Sequence, residues 1–218
     1  MISGTGHPLA YPVLTTIGAL VICIAWAPFA DPEQLAMLAA VGLVVLLYTG
    51  FRLAVAFGVV PWRTIPAGTF RVKRVRQQNR LVSRSWLELS SGGRTRWLPV
   101  YFDPSLAVLT ESDADCDAAV VVHGHRLFAS GAVRDREPQG RLIDNPTRPD
   151  PDGPSHAAAA TRLGRRLLLD AQFAVVAPFA GLFWIYVAGG GVPAFAAATV
   201  VAAATATWFA AIRGSDPS

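Results

Sequence analysis

Charge is scarce in this sequence. Asp, Glu, Lys and Arg make up 16% of its 218 residues, against about a quarter in an ordinary soluble domain. The two end regions are nearly free of charge, and the middle holds almost all of it. Apolar residues reach 52%, mean hydropathy is +0.39, and the apolar runs gather in those same end regions. Such segregation excludes one large buried core and points to membrane spans. Cysteine is nearly lacking too, with Cys23 in an apolar run and Cys116 in the polar middle. Two lone cysteines in unlike surroundings do not make a disulfide framework. No CxxC, HxxxH, G-x-S-x-G or P-loop pattern occurs, so neither a patterned zinc site nor a familiar nucleophile or phosphate loop is expected.

What is present begins with four apolar runs. Tyr11 to Ala30 carries no charge, and about 20 helical residues at about 1.5 Å each cross a hydrocarbon layer of about 30 Å. Met1 to Pro8 lacks Lys and Arg, so the positive head of a signal peptide is missing and the run reads as a retained helix. Asp31-Pro32-Glu33-Gln34 forms a turn, and a second span covers residues 35–60. Arg52 lies late in it. At mid-membrane it would cost roughly 2.5–3.5 kcal/mol, but near the end it can snorkel to the headgroups. The third span covers residues 167–188 and the fourth 192–212, joined by Gly189-Gly190-Gly191-Val192-Pro193.

Two spans carry small residues that let helix backbones approach closely. These are Gly50, Ala54 and Gly58 in the second span, and Thr199, Thr205 and Thr207 among the alanines of the fourth. Gly50, Ala54, Gly58, Thr199 and Thr205 are the candidate helix-contact residues.

Orientation follows from where the cations lie. The Asp31–Gln34 and Gly189–Pro193 turns have none. Arg63, Arg71, Lys73, Arg74, Arg76 and Arg80 follow the second span, Arg162, Arg165 and Arg166 precede the third, and Arg213 follows the fourth. A plasma-membrane protein with both termini and the central domain in the cytoplasm is expected.

The central region, residues 61–137 starting at Pro61, reads as a small antiparallel β-domain of five or six strands, a meander, a half-barrel or an SH3/PH-like sheet. Thr69–Arg76 and Arg84–Leu89 are strands, and Ser90-Ser91-Gly92-Gly93 is a hairpin turn. Trp97–Phe102 returns, and Pro99, which cannot donate to a ladder, predicts an edge position or a bulge there. Asp103-Pro104 breaks it. Leu106–Leu109 is a further strand, Glu111–Asp117 an acidic turn, and Ala118–His123 and Arg126–Ala129 two more strands. Residues 138–155 hold Pro138, Pro146, Pro149, Pro151 and Pro154 and read as a linker pinned by Arg141–Asp144. Residues 156–218 then supply a helix capped by Ser155 and the second hairpin.

Site chemistry is thin. His123 and His125 share a strand face, but a zinc site needs three or four convergent ligands. The acidic turn lacks the Gly and final Glu of an EF-hand loop. Asp170 pairs with Arg166 one helical turn away. No catalytic residue, cofactor or metal is expected. All the cations but Arg52 and Arg213, and all the carboxylates but Asp31, Glu33, Asp170 and Asp216, lie between residues 63 and 166, 17 against 11. The topology rule explains that surplus without nucleic acid. Membrane lipids are the expected partners of Arg71, Lys73, Arg74, Arg76, Arg162, Arg165 and Arg166, at about 1 kcal/mol per basic residue near anionic headgroups.

The layout, with Trp97-Leu-Pro-Val-Tyr-Phe-Asp-Pro104 and Gly140-Arg-Leu-Ile-Asp-Asn-Pro146, resembles a family of small actinobacterial transmembrane proteins, the lipid-uptake-coordinator subunits that accompany Mce lipid transporters. That resemblance implies a non-catalytic accessory subunit that binds a lipid importer through its helices. The expected fold class is an α+β membrane protein of four transmembrane helices in two hairpins with an inserted antiparallel β-domain. The expected function is an accessory or scaffold subunit of a membrane-protein complex. The alternative is a membrane-tethered β-domain that binds a protein or anionic headgroups.

Overall fold

The computed structural model describes residues 6–60, 65, 67–79, 81–116, 120–145, 148 and 150–218. Pro61, Arg63, Arg80, Asp117, Ala118, Pro146 and Pro149 lie outside the described residues. In chain order the helices are α1 (Ala10–Trp26), α2 (Pro32–Ala56), α3 (Pro104–Ala107), α4 (Gly153–Ala160), α5 (Leu163–Asp170), α6 (Ala177–Ala188) and α7 (Gly191–Ile212). The strands are β1 (Gly68–Asn79), β2 (Val82–Ser91), β3 (Arg94–Val100), β4 (Ser112–Cys116), β5 (Val120–Val122), β6 (His125–Leu127) and β7 (Arg141–Asp144). The chain divides into two compact units. One comprises Met1–Ala10, Arg52–Arg166 and Arg213–Ser218, and the other comprises Tyr11–Phe51 and Leu167–Ile212.

The second of these is helical. Among the described residues, four helical stretches are long and apolar enough to cross a membrane: Ala10–Phe29, Pro32–Ala56, Leu163–Ala188 and Gly191–Ile212. Large apolar side chains such as Leu47, Phe179, Phe183 and Val192 stay exposed on them, as suits a multi-pass membrane protein. α2 starts at Pro32 rather than at Leu35, because Asp31 accepts a hydrogen bond from the Gln34 amide at 2.8 Å and Pro32 fits the first turn. The third stretch starts earlier than residue 167 and is not uniform. Ala171–Val176 is a 3₁₀ segment, and Pro178 follows it without the N–H that an α-helix needs there.

Polar side chains give the helices their register. Tyr11 donates to Asp170 at 2.6 Å, Thr16 and Thr49 lie 3.2 Å apart, and the Trp208 indole N–H donates to Thr49 at 3.0 Å. Around them Ala19, Val45, Trp208 and Ile212 form the buried cluster of this unit.

The other unit is a curled antiparallel half-barrel. Its strand order is β3-β2-β1-β4-β5-β6, with β7 also on β1, seven strands in all. The long β1 serves two neighbours along one edge, β4 over Gly68–Val72 and β7 over Val75–Gln78. Phe70, Val72, Leu87, Leu89, Leu98, Val100 and Val122 fill the inner face. Val75, Trp86 and Trp97 form a smaller cluster with Leu142. The Gly92-Gly93 turn joins β2 to β3 with φ of 57° and 75°, the left-handed values that a two-residue hairpin requires. β3, carrying Pro99, ends the strand order, and the chain after β6 comes back along it, with Ser130 donating to the Pro99 carbonyl at 2.8 Å.

Three expectations differ here, while the pinning of the linker by Arg141–Asp144 holds. Leu106–Leu109 is not a strand. Asp103 caps α3 by accepting from the Ser105 amide at 2.8 Å, and Pro104 sits at its start. The acidic stretch is not a turn but β4, because Ala114 and Cys116 face inward while Asp113 and Asp115 face out. Arg141–Asp144 is a paired strand. Ser155 lies inside α4 and donates to the Asp152 carbonyl at 2.8 Å instead of capping. Pro154 at the helix start sets that boundary.

Helix α6 meets α7 at Gly181, where a Cβ would collide with the Thr199 hydroxyl and stand 3.0 Å from the Phe195 carbonyl oxygen. Overpacking of this kind costs roughly 1–3 kcal/mol or more. Gly181→Val should therefore lower the thermal midpoint of the detergent-solubilised protein by about 5 °C or more. Gly164→Ala, where a Cβ meets nothing within 4 Å, should leave it unchanged or raised.

Candidate functional site

Strand parity positions the main polar site. Along β1 the residues that share Phe70 and Val72's face are Arg74 and Arg76, since side chains alternate with period two. Arg74 is accordingly buried, its side chain 4% exposed, and the Asp216 side chain it meets at 2.6 Å is 0% exposed. Ser85, on the same face as Leu87 and Leu89, donates to Asp216 at 2.6 Å and accepts from Arg74 Nε at 3.1 Å. Arg74 also donates to Asn145 Oδ1 at 3.2 Å and to Ser218 Oγ at 2.7 Å. Its guanidinium carbon stands 5.8 Å from the Phe102 ring centre. Asn145 in turn donates to the carbonyls of Leu106 and Leu109 at 2.7 and 2.8 Å.

The segment after α7 delivers Asp216. Ser215 bridges to Arg84, and the Asp216 amide donates to the Ser83 carbonyl at 2.9 Å. Arg76 donates to the Ser218 carbonyl oxygen and Arg165 Nε to the Pro217 carbonyl. Burial pushes the Asp216 carboxyl up. The Arg74 charge and the hydrogen bonds from Ser85 and Ser218 more than offset this and hold it below the usual aspartate range.

The expected headgroup residues separate into three groups. Arg74 and Arg166 are buried, and Arg76 is turned inward and half-buried, so none of these three presents its charge to a bilayer as expected. Arg71 and Lys73 occupy the outer face of β1 and are paired, Arg71 with Glu111 at 2.6 Å and Lys73 with Asp144 at 2.8 Å. That hydrogen bond raises the Lys73 pKa. Arg162 and Arg165 are exposed. Arg52 donates to the Ser130 carbonyl rather than simply snorkelling. Inward parity from Phe70 through Val72 was the signal that could have identified Arg74. The role of Asp216 had no local signal.

The helix-contact residues also disperse. Gly58 lies beyond the end of α2 with φ of 76°. There the Gly58 and Val59 amides close the helix onto the carbonyls of Val55 and Ala54. Gly50, Ala54 and Gly58 therefore do not form one helical stripe. Gly50 is exposed, and a Cβ there would meet nothing within 4 Å. Thr199 is used inside the α6–α7 contact. Thr205 bonds to the Val201 carbonyl at 2.8 Å and lines a cavity of the helical unit.

That cavity is an apolar groove of about 820 Å³ between α2 and α7. Ala194, Ala198, Ala202 and Ala206 give α7 a smooth wall, and Tyr48 and Trp184 stand among the aromatic residues around it. His123 is in the β5–β6 turn with φ of 49°, so it does not share a strand face with His125. Among the described residues, no three or more His, Cys, Asp or Glu are grouped to hold a metal ion. Cys116 is buried, and burial, aided by the charge of Asp115, pushes its thiol up to about 11.

Removing one partner of a buried ion pair strands the other charge and costs about 3–5 kcal/mol. Asp216→Ala should show that loss in thermal or denaturant unfolding. Because the folded pKa is depressed, the stability from Asp216 is fully present above the unfolded value, about 3.9. It is lost as pH falls through the folded value. Asp216→Asn should flatten this acid limb while leaving the rest of the pH profile in place.

Compared with known proteins, the chain matches no family model, no curated protein and no solved structure.

Proposed function

We propose that this protein is a non-catalytic, multi-pass accessory subunit of a membrane complex, and that the α2–α7 groove receives a transmembrane helix of its partner. The observation that carries the reading is the groove itself, about 820 Å³ and lined mainly by alanine and aromatic residues. Inside a bilayer apolar surface gains nothing by leaving lipid, so helices associate by close packing, and small residues make that packing possible. The lining of α7 runs from Pro193 to Phe209, about 24 Å at about 1.5 Å per residue. That length approaches the hydrocarbon thickness of about 30 Å, so a helix crossing the bilayer can lie along most of it. The buried carboxylates Asp170 and Asp216 are held by Tyr11 and Arg74, an arrangement that favours structure over chemistry at those groups. The sequence resemblance makes a lipid importer of the Mce class the first partner to test.

In native membranes, a photo-reactive residue at Ala198 or Ala202 should crosslink to one protein of discrete mass, and the same residue at Phe183 should not. Ala202→Trp should abolish the adduct. Lipid adducts alone, at groove and control positions alike, would refute the reading.

The cation distribution supports a half-barrel facing the cytoplasm, with the Asp31–Gln34 and Gly189–Pro193 turns outside. Cys116 is buried and cannot report sidedness, but Ser91 is exposed at the end of β2. Ser91→Cys should react with a membrane-impermeant maleimide only after permeabilisation. Reaction in intact cells would invert the orientation.

A further inference from the structure

The half-barrel unit contains a cavity of about 360 Å³, within the range that small ligands occupy. Its wall is made by the chain after α3 at Leu109 and Thr110, by Asn145, by Ala157 and Ala160 of α4, and by Ser218. Four basic side chains reach it: Arg74, Arg148, Arg165 and His156. Their counter-charges are uneven. Arg74 is matched by Asp216 at 2.6 Å. His156 Nδ1 stands 3.8 Å from Asp150 Oδ2, and Asp150 is the one acidic side chain on the cavity wall among the described residues. Arg148 and Arg165 have no carboxylate within 4.0 Å among the described residues. Among the described residues Arg165 uses only its Nε, on the Pro217 carbonyl at 3.2 Å.

Two guanidinium groups on one small cavity repel each other, and a ligand that supplies negative charge relieves the repulsion. A guanidinium fork matches phosphate oxygens two at a time, with charge-assisted hydrogen bonds stronger than neutral ones. A phosphate monoester, carrying about −1.5 to −2 at neutral pH, balances the two unmatched arginines. Asn145 and Thr110 add polar groups beside them. Arg165 stands in the first turn of the helical stretch Leu163–Ala188, one of the candidate membrane spans. Either a lipid headgroup or a dissolved phosphate ester could supply the same chemistry.

We propose that this cavity binds a phosphate monoester through Arg148 and Arg165. The site lies entirely within the half-barrel unit and does not depend on the α2–α7 groove. The test uses the full chain in uncharged maltoside micelles, with thermal midpoint and native mass as readouts. The probes are glycerol phosphate, short-chain phosphatidic acid and, as a zwitterionic control, short-chain phosphatidylcholine. Phosphate-bearing probes should raise the midpoint, and phosphatidylcholine should not. Arg148→Gln and Arg165→Gln should each weaken that binding by about tenfold or more, while Arg141→Gln, exposed and outside the cavity, should not. Arg148 is exposed, so its variant should keep the unliganded midpoint. Response to both phosphate probes identifies a bare phosphate group as the ligand. Response to phosphatidic acid alone identifies an anchored headgroup. No response to either probe, or equal response in both arginine variants, overturns the proposal.

Discussion

The half-barrel depends on the buried pair between Arg74 and Asp216. Two charges withdrawn from water are stable only when each finds partners enough to replace hydration. Here Ser85, Asn145 and Ser218 supply them. The pair also dictates how the chain must run. Arg74 lies on β1 and Asp216 follows α7, so 142 residues separate the partners. The whole helical unit is inserted between stretches of the half-barrel unit. Loop-closure entropy grows only slowly with length, so such a long return costs little more than a short one. The consequence falls on folding order: Arg74 remains a buried cation without its carboxylate until the segment after α7 returns. A half-barrel cut at residue 137 would also lack β7, Asn145 and the Ser215 bridge to Arg84.

Much of the fold was legible because it rests on local rules. The apolar runs gave the four candidate spans and Gly92-Gly93 the hairpin. Pro99 marked β3, which ends the strand order and, among the described residues, takes only isolated bridges from the returning chain on its outer side. The misreadings share a cause, which is that a residue type has more than one local meaning. Asp103-Pro104 reads as a strand breaker, yet the same pair is an N-cap followed by a first-turn proline. The acidic stretch reads as solvated loop. Its alternation places small residues inward, and its aspartates sit opposite β1 partners of suitable chemistry, with Arg71 across from Asp113 and Thr69 across from Asp115. Cross-strand complementarity of that kind stabilises a strand pair, and it becomes visible only once the register is known.

The polar site was half legible. Period-two alternation carried Phe70 and Val72 inward and should have carried Arg74 and Arg76 with them. Read by charge alone, Arg71, Lys73, Arg74 and Arg76 form one cationic run on the outer surface. Topology rules count charges without asking which face of a strand they occupy, so one residue can orient a protein in the membrane and still end in its core. Asp216 was a different case. Nothing near it in sequence distinguishes it from a solvated aspartate, and its role comes from a long-range meeting that no local pattern encodes.

Within a bilayer the hydrophobic effect cannot choose among packings of four such apolar helices, because their side chains are as well accommodated by lipid as by each other. Specificity has to come from shape and from polar joints. The Tyr11–Asp170, Thr16–Thr49 and Trp208–Thr49 contacts tie α1 to α5, α1 to α2 and α2 to α7, while Gly181 seats α6 against α7. Each such hydrogen bond is worth only about 0.6 kcal/mol on average in a bilayer, yet together they select one arrangement of the helices. They also satisfy the polar groups of Tyr11, Thr16, Thr49, Asp170 and Trp208 from within the unit. A partner helix in the α2–α7 groove, as proposed above, would therefore be selected by its fit to the alanine wall rather than by hydrogen bonds.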